Sequence, residues 1–372
     1  MKKKQLAAFA LGISLCFGLL AGCGKQEEEP DTQVTELPVI MQDTETIEEQ
    51  ESVPEGQARS YLTGEWIDEE LAGKRPIALM IENTLVCLPQ YGINNADIIY
   101  ECPVEGGISR LLGIYQNYSG MEQIGNVRSS RPYYLYFAKE YDAIYVHAGG
   151  SIEAYNLLDA GFINDIDAIK GGGASEFFRT NEHKKPHNLY ISSQNIDNAL
   201  NTLGYEMDLR EGYEGHFTFA KDDETVQMPD AADAAVVSLY YVNPKPWFVY
   251  NEEDGLYYRY EFGSKQVDAI NGEQVAVKNI IIEECSISYY DESKGYLNID
   301  ITSGGSGKYI TDGKCIDITW EKESDTAPTR YYDKAGNEIV LNQGKTWVAV
   351  TQDTYSDRNE IYATLEDYES SK

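Results

Sequence analysis

Residues 76–81 read Pro-Ile-Ala-Leu-Met-Ile, a continuous apolar run with none of the alternation of a half-exposed strand. Such a run fits a strand covered on both faces, the position that strands hold inside α/β sheets. Its surroundings carry the same pattern. Residues 96–100 (Ala-Asp-Ile-Ile-Tyr) and 108–115 (Ile-Ser-Arg-Leu-Leu-Gly-Ile-Tyr) also read as strands. Pro132 stands where a helix begins, and Tyr134, Phe137, Ala138 and Tyr141 recur at helical spacing. Residues 142–148 return to a strand, and Gly149-Gly150-Ser151 turns into a helix over 152–158 that Gly161 stops. A further helix spans 193–203 and ends at Gly204. This alternation predicts an N-terminal α/β domain with a mixed sheet over residues 61–230.

The second half changes period. Short alternating runs occupy 236–242, 247–250, 257–262, 275–283, 296–301, 308–310, 315–320, 329–332 and 347–350. Turn signals such as Asp254-Gly255, Asn271-Gly272, Asp312-Gly313 and Gly336-Asn337 separate them. They predict a mainly antiparallel β domain over residues 231–355, so the chain as a whole is α+β. Gly304-Gly305-Ser306-Gly307 lacks the Lys-Thr ending and following helix of a phosphate-cradling loop, and reads as a turn. Residues 356–372 form an acidic tail, expected to fray.

The amino terminus carries an address. Lys2, Lys3 and Lys4 precede an apolar stretch over residues 6–20, too short to span a bilayer and suited to a signal peptide, residues 1–22. Leu20-Ala21-Gly22-Cys23 follows and resembles the lipobox of bacterial lipoproteins. The resemblance implies lipidation at Cys23, with cleavage before it and acylation of the new amino terminus. It makes the membrane a partner through the lipid anchor and places the chain on the extracytoplasmic face of the cell membrane, because two or three acyl chains hold far more firmly than one. Residues 23–60 are rich in Glu, Thr, Gln and Pro, with no aromatic residue before Tyr61, and read as an acidic tether.

Composition narrows the partners. The formal net charge is −32, and residues 1–22 hold three lysines and no acid, so their removal makes it more negative. Such a surface repels nucleic acid, and no nucleic-acid partner is expected. The 29 tyrosines against 10 phenylalanines suit partly wet sheets, or a surface for carbohydrate or peptide. Cys16 leaves with the signal and Cys23 carries lipid. Cys87, Cys102, Cys285 and Cys315 then permit the disulfides Cys87–Cys102 and Cys285–Cys315, or remain as free buried thiols.

Four stretches gather the groups that carry chemistry. Residues 125–132 place Arg128, Ser129 and Arg131 before a helix start, where free N–H groups and the helix dipole favour an anion. Arginine binds carboxylate or phosphate bidentately. His147-Ala148-Gly149-Gly150-Ser151 lies at the carboxyl end of a strand, the edge at which open α/β sheets take ligands. There Gly149 and Gly150 permit close approach, and Ser151 either meets the ligand or caps the helix. The loop His183-Lys184-Lys185-Pro186-His187-Asn188 is basic, and Glu105-Gly106-Gly107 with Arg110 joins two strands. Plainer readings stand beside these: His147 bonding a backbone carbonyl, and Arg128 and Arg131 pairing with Glu101 or Glu105. Pro186 between His183 and His187 argues against a helical histidine pair and so against zinc; no metal site is expected, and no cofactor either.

Arg75-Pro76-Ile77-Ala78 with Glu82-Asn83, Glu105 to Arg110, Gly125 to Pro132, His147 to Ser151 and Pro186-His187-Asn188-Leu189-Tyr190 recur in a characteristic order. Lys278-Asn279, Thr319-Trp320-Glu321-Lys322 and Gly344-Lys345-Thr346-Trp347 continue it. Over roughly residues 70–352 this order resembles the YerB-like lipoprotein family of Gram-positive bacteria, a two-part domain of unknown function. The resemblance implies a lipid-anchored surface protein with an α/β part and a β-rich part, and no established activity.

Three functions are consistent with these residues. In the first, the chain is a binding or accessory module of the cell envelope. It holds an anionic cell-wall fragment with Arg110, Arg128, Ser129, Arg131, His147, Gly149, Gly150, Ser151, His187 and Asn188. In the second, it is a hydrolase or transferase acting on phosphodiester or glycan substrates. Arg128 and Arg131 then stabilise developing charge, His147 or His187 acts as acid or base, and Glu105 orients one of them. In the third, the tyrosine-rich β domain docks another envelope protein.

Overall fold

The computed structural model describes residues 53–372, apart from 214, 223, 225, 227 and 229. The signal peptide, Cys23 and most of the tether lie outside the described residues. The folded body starts earlier than Tyr61. Strands β1 (Gln57–Arg59) and β2 (Trp66–Asp68) pair as a hairpin followed by the short helix α1 (Glu69–Ala72). The Arg59 guanidinium stacks on Trp66 at 3.8 Å, and buried Ser60 donates to Gln116 Oε1 at 2.6 Å. The last residues read as tether are thus recruited by partners further along the chain, Trp66 and Gln116, which their own composition does not announce.

The chain then runs through β3 (Ile77–Asn83), β4 (Ile98–Pro103), β5 (Ser109–Tyr115), β6 (Ile124–Gly125) and α2 (Pro132–Glu140). It continues with β7 (Ile144–His147), α3 (Ile152–Asp159), β8 (Asp165–Asp167), β9 (Phe178–Arg179), β10 (Leu189–Ile191) and α4 (Ser193–Leu203). Each helix begins and ends for a local reason. Pro132 occupies the first turn of α2, where no N–H is needed. Ser151 caps α3 by accepting from Ala154 N–H, and α4 stops at Gly204, whose φ of 69° is left-handed.

Among the described residues the main sheet has eleven strands. Ten run in the order Ala232–Asp233, Lys314–Lys322, Gly305–Thr311, Asn279–Cys285, Thr346–Gln352, β4, β5, β3, β7, β8, and the eleventh, Thr329–Tyr332, pairs with Lys314–Lys322 off this path. Strand Thr346–Gln352, late in the chain, lies parallel to β4 with Trp347 opposite Ile99, and parallel to Asn279–Cys285 on its other side. β3, β7 and β8 are parallel to one another, whereas β5 is antiparallel to both its neighbours. The sheet is therefore mixed and spans the α/β part and the β-rich part without interruption. Every residue of β3 is buried. Ala78 and Met80 pack with Tyr134, Phe137 and Tyr141 of the α2 region, and Ile77, Leu79 and Ile81 pack with Ile196 and Leu200 of α4. That double cover is what the unbroken apolar run requires.

A second, six-stranded sheet lies on the α4 side, built from Trp247–Asn251, Leu256–Glu261 and shorter strands. Phe248 from it meets Trp347 edge-on at 5.5 Å. Buried Arg259 crosses the same interface. It donates to Glu101 and to Glu261 at 2.8 Å each, and its guanidinium lies over Trp347 at 4.3 Å.

Two expectations need correction. The acidic tail is ordered: Glu360–Tyr362 pairs with Val236–Ser238, and helix Leu365–Ser370 packs buried Tyr368 on Trp247 at 5.9 Å. Two tyrosines in the tail supply apolar area that its charge conceals. Gly305-Ser306-Gly307 is not a turn but the start of strand Gly305–Thr311. Gly307 faces the Ile282 carbonyl so closely that a Cβ would clash, so glycine marks a close approach of two backbones.

Cys87, Cys102, Cys285 and Cys315 are all buried free thiols. Burial pushes Cys87 up to about 12 and Cys315 up to about 11. Another buried acid sits between the sheet and α2. Burial raises Glu283 to about 7, a Tyr331 hydroxyl donates to it, and Glu140 and Lys322 act on it with opposite sign. A folded carboxyl that holds its proton above the unfolded value of 4.5 makes stability fall as pH rises from about 4.5 to about 7. In Glu283→Gln that component disappears. Thermal melts at stepped pH should show a smaller decline across this window in the variant than in the parent, and identical slopes would contradict the assignment.

Candidate functional site

The carboxyl ends of β3 and β7 lie side by side, and residues 125–131 run across them. Arg128 N–H donates to the Met80 carbonyl at 3.0 Å, and Ala148 N–H donates to the Arg128 carbonyl at 3.0 Å. Ser130 N–H donates to the Gly149 carbonyl, and Val127 N–H to the Leu189 carbonyl, at 2.8 Å each. Asn126 Nδ2 donates to the His187 carbonyl and to the Tyr190 hydroxyl. The motifs at 125–131, 147–151 and 187–190 therefore meet at one sheet edge.

Their side chains divide into two groups. One group serves the framework. His147 is fully buried, with Nδ1 2.8 Å from the Gly149 carbonyl and Nε2 3.1 Å from Asp165. Asp167 accepts from Gly149 N–H and Ile169 N–H and from the Tyr155 hydroxyl, which fixes the glycine turn. Gly149 has a φ of 73°, and the space beside Gly150 is taken by Ser130, 3.3 Å from where a Cβ would stand. Asn188 bonds Arg179 and the Thr180 carbonyl. Ser129 offers its carbonyl to Arg110 at 2.6 Å.

The other group is charged and partly open. Glu82, at the end of β3, has a side chain only 2% exposed. Arg128 Nε lies 3.2 Å from one of its oxygens, and His187 Nδ1 2.5 Å from the other, which also accepts from Thr84. The outer parts of both partners reach solvent, with 22% of Arg128 and 29% of His187 exposed. Across the β3–β5 register Glu82 stands opposite Arg110. Arg110 lies 3.7 Å from Glu105, which Arg131 grips with both Nε and Nη2. Burial pushes the Glu105 carboxyl up, but the Arg131 hydrogen bonds and the charges of Arg110 and Arg131 outweigh it and hold the group below the usual carboxylate range. Glu101 takes no part, being committed to Arg259. Arg110, Arg128 and Arg131 face Glu82 and Glu105, so one positive charge is left over before His187 is counted, in a chain of net charge −32.

Arg110, Arg128, Arg131, His187 and Glu105 all belong to motifs that the sequence marks as candidates, whereas Glu82 lies outside them. Its signal was present: a carboxylate directly ending a run buried on both faces must be paired.

The Glu105–Arg131 pair generates a stability prediction. Arg131→Ala leaves a half-buried carboxylate short of two donors and should cost about 1–3 kcal/mol. Arg131→Lys should recover only part of it, because an ammonium cannot span both oxygens. Urea denaturation of the three proteins checks the order, and equal midpoints for lysine and arginine would contradict the bidentate reading.

Comparison with known proteins agrees with this architecture. Residues 62–206 match the family described as "Protein of unknown function (DUF3048) N-terminal domain", and residues 236–348 match its C-terminal domain. The chain is 29% identical over 362 residues to "Putative lipoprotein YerB" of Bacillus subtilis (strain 168), covering 94% of this chain and 96% of that one. The crystal structure of the YerB protein from Bacillus subtilis superimposes with a TM-score of 0.71 at 28% identity, over 82% of this chain and 99% of that one. With both its halves matched in order, the chain belongs to the DUF3048 family.

Proposed function

We propose that this protein is a membrane-anchored cell-envelope module that binds an anionic wall-derived ligand, a phosphate or a carboxylate. The lipid would sit on Cys23, with the folded body on the extracytoplasmic face, in keeping with the lipobox-like sequence and with the relative's name. The observation that carries the binding reading is Glu82, a buried carboxylate that holds Arg128 and His187 in place while part of each side chain stays open to solvent. A ligand anion meets side chains already ordered, so less entropy is lost on binding. The surplus positive charge of the cluster favours an anion over a cation.

One observation favours an enzyme as the second reading. His187 and Glu82 form an oriented imidazole–carboxylate pair, the arrangement a general base needs. His147, with both nitrogens engaged and no exposed surface, is unsuited to that role.

Calorimetric titration of the full-length protein with poly(glycerol phosphate) fragments and with carboxylate-ended wall peptides tests the proposal. Arg128→Ala should weaken binding of the preferred anion about tenfold or more, the scale of a lost charge-assisted hydrogen bond. Ser151→Ala should cost about 1 kcal/mol of stability as a lost helix cap and leave binding unchanged. Unaltered affinity of Arg128→Ala for both probes would sink the proposal. Release of product from either probe, lost in His187→Ala, would favour the enzyme.

A further inference from the structure

A concavity that includes Glu105 in its wall is built from both halves of the chain. It has a volume of about 300 Å³ and is lined by Gly106, Gly107, Tyr240, Val242, Tyr289 and Tyr355 among others. Glu105, gripped by Arg131, forms part of its wall. Glu105 is thus shared between the cleft wall and the charged cluster.

Three of its large side chains face solvent: Tyr289 is 62% exposed, Val242 66% and Tyr355 40%. Their concentration in one cleft of a chain this acidic is an exposed apolar patch that marks a binding site rather than a solubility device. The rings are also held in place. Tyr240 and Tyr355 meet edge-on with centroids 5.2 Å apart. The Arg358 guanidinium lies over both, at 4.6 and 5.0 Å, and donates to the Tyr240 hydroxyl at 2.6 Å. Gly106 has a φ of 78°, and a Cβ there would meet nothing within 4 Å, so the backbone of this turn is uncovered toward the surface.

A ligand that fits must offer apolar faces to tyrosine rings and hydroxyl or amide groups to the backbone and tyrosine hydroxyls at the same time. Sugar rings do both. The Glu105 carboxylate in the wall, held by Arg131, adds an acceptor for sugar hydroxyls, and Arg358 braces the tyrosines Tyr240 and Tyr355.

We propose that this cleft is a saccharide subsite, which takes the sugar part of the wall ligand while the Arg128–Arg131 cluster takes its anion. The inference rests on the wall-ligand reading for the kind of sugar, but its test does not depend on the anion site.

The full-length protein in detergent is titrated with a neutral N-acetylglucosamine trimer. Binding is expected, and Tyr289→Ala and Tyr355→Ala should each weaken it about fivefold or more, as truncating a tyrosine contact does. Tyr289 is mostly exposed, so Tyr289→Ala should melt as the parent does, whereas Tyr355→Ala also gives up its contacts with Tyr240 and Arg358 and should melt slightly lower. Arg128→Ala should leave binding of the neutral trimer intact. The subsite is overturned if the trimer gives no heat at millimolar concentration, or if both tyrosine variants bind it as the parent does. It is equally overturned if those variants lose affinity for a neutral wall peptide and not for the sugar. Loss of poly(glycerol phosphate) binding in Arg128→Ala with trimer binding retained supports both sites. Trimer binding in a parent that binds no anionic probe upholds the subsite and removes only the anion reading.

Discussion

The architecture turns on one strand pairing. Thr346–Gln352 enters the main sheet beside β4 and is parallel to it. A parallel pair demands a long crossover, and here the crossover contains most of the β-rich half. Once that strand is in place, the two halves of the chain share one sheet and have no freedom to rotate as separate bodies. The buried Arg259, clamped between Glu101 of β4 and Glu261 of the second sheet, fits only when this pairing and the sheet packing are both correct. Such a buried ion pair adds little net stability but is costly to half-assemble, so it penalises misdocked arrangements.

The pairing also decides where loops from the two halves emerge. The β4–β5 connection comes from the first half, and residues 240–242 and 351–355 come from the second, yet all three line one cleft. Next to it, three arginines are stacked against two glutamates. Their proximity is tolerable because each guanidinium finds a carboxylate or a carbonyl: Arg128 on Glu82, Arg131 on Glu105, Arg110 on the Ser129 carbonyl. The charge that survives this compensation is small, but it stands out against the acidic remainder of the molecule.

Much of the fold was legible from the chain alone. The unbroken run at residues 76–81, the helical stripe from Tyr134 to Tyr141 and the stops at Gly161 and Gly204 each encode their structure locally, and those segments fold as their patterns read. What the sequence hid was long-range. Nothing near residue 346 announces β4 as its neighbour, and nothing near residue 60 announces Gln116. The site shows the same division. Residues 125–131 and 187–190 were recognisable from clustered cations and glycines, but Glu82 looked like the end of a core strand, and Glu101 looked like a partner for Arg128 until Arg259 supplied a better one. His147 and Ser151 carried the residue types of chemistry and perform those of architecture, because a helix start and a glycine turn need a cap and a brace as often as a ligand does.

The four unpaired thiols bear on how such a chain matures. Since none of them is crosslinked, the native topology involves no choice among cysteine pairings, and no oxidase or isomerase has to act for the body to reach its final form. Since each is buried and held as the neutral thiol, the reactive thiolate is scarce at neutral pH. The folded body is thus chemically quiet toward peroxide and small disulfides, and its packing rather than any crosslink among these four cysteines preserves it.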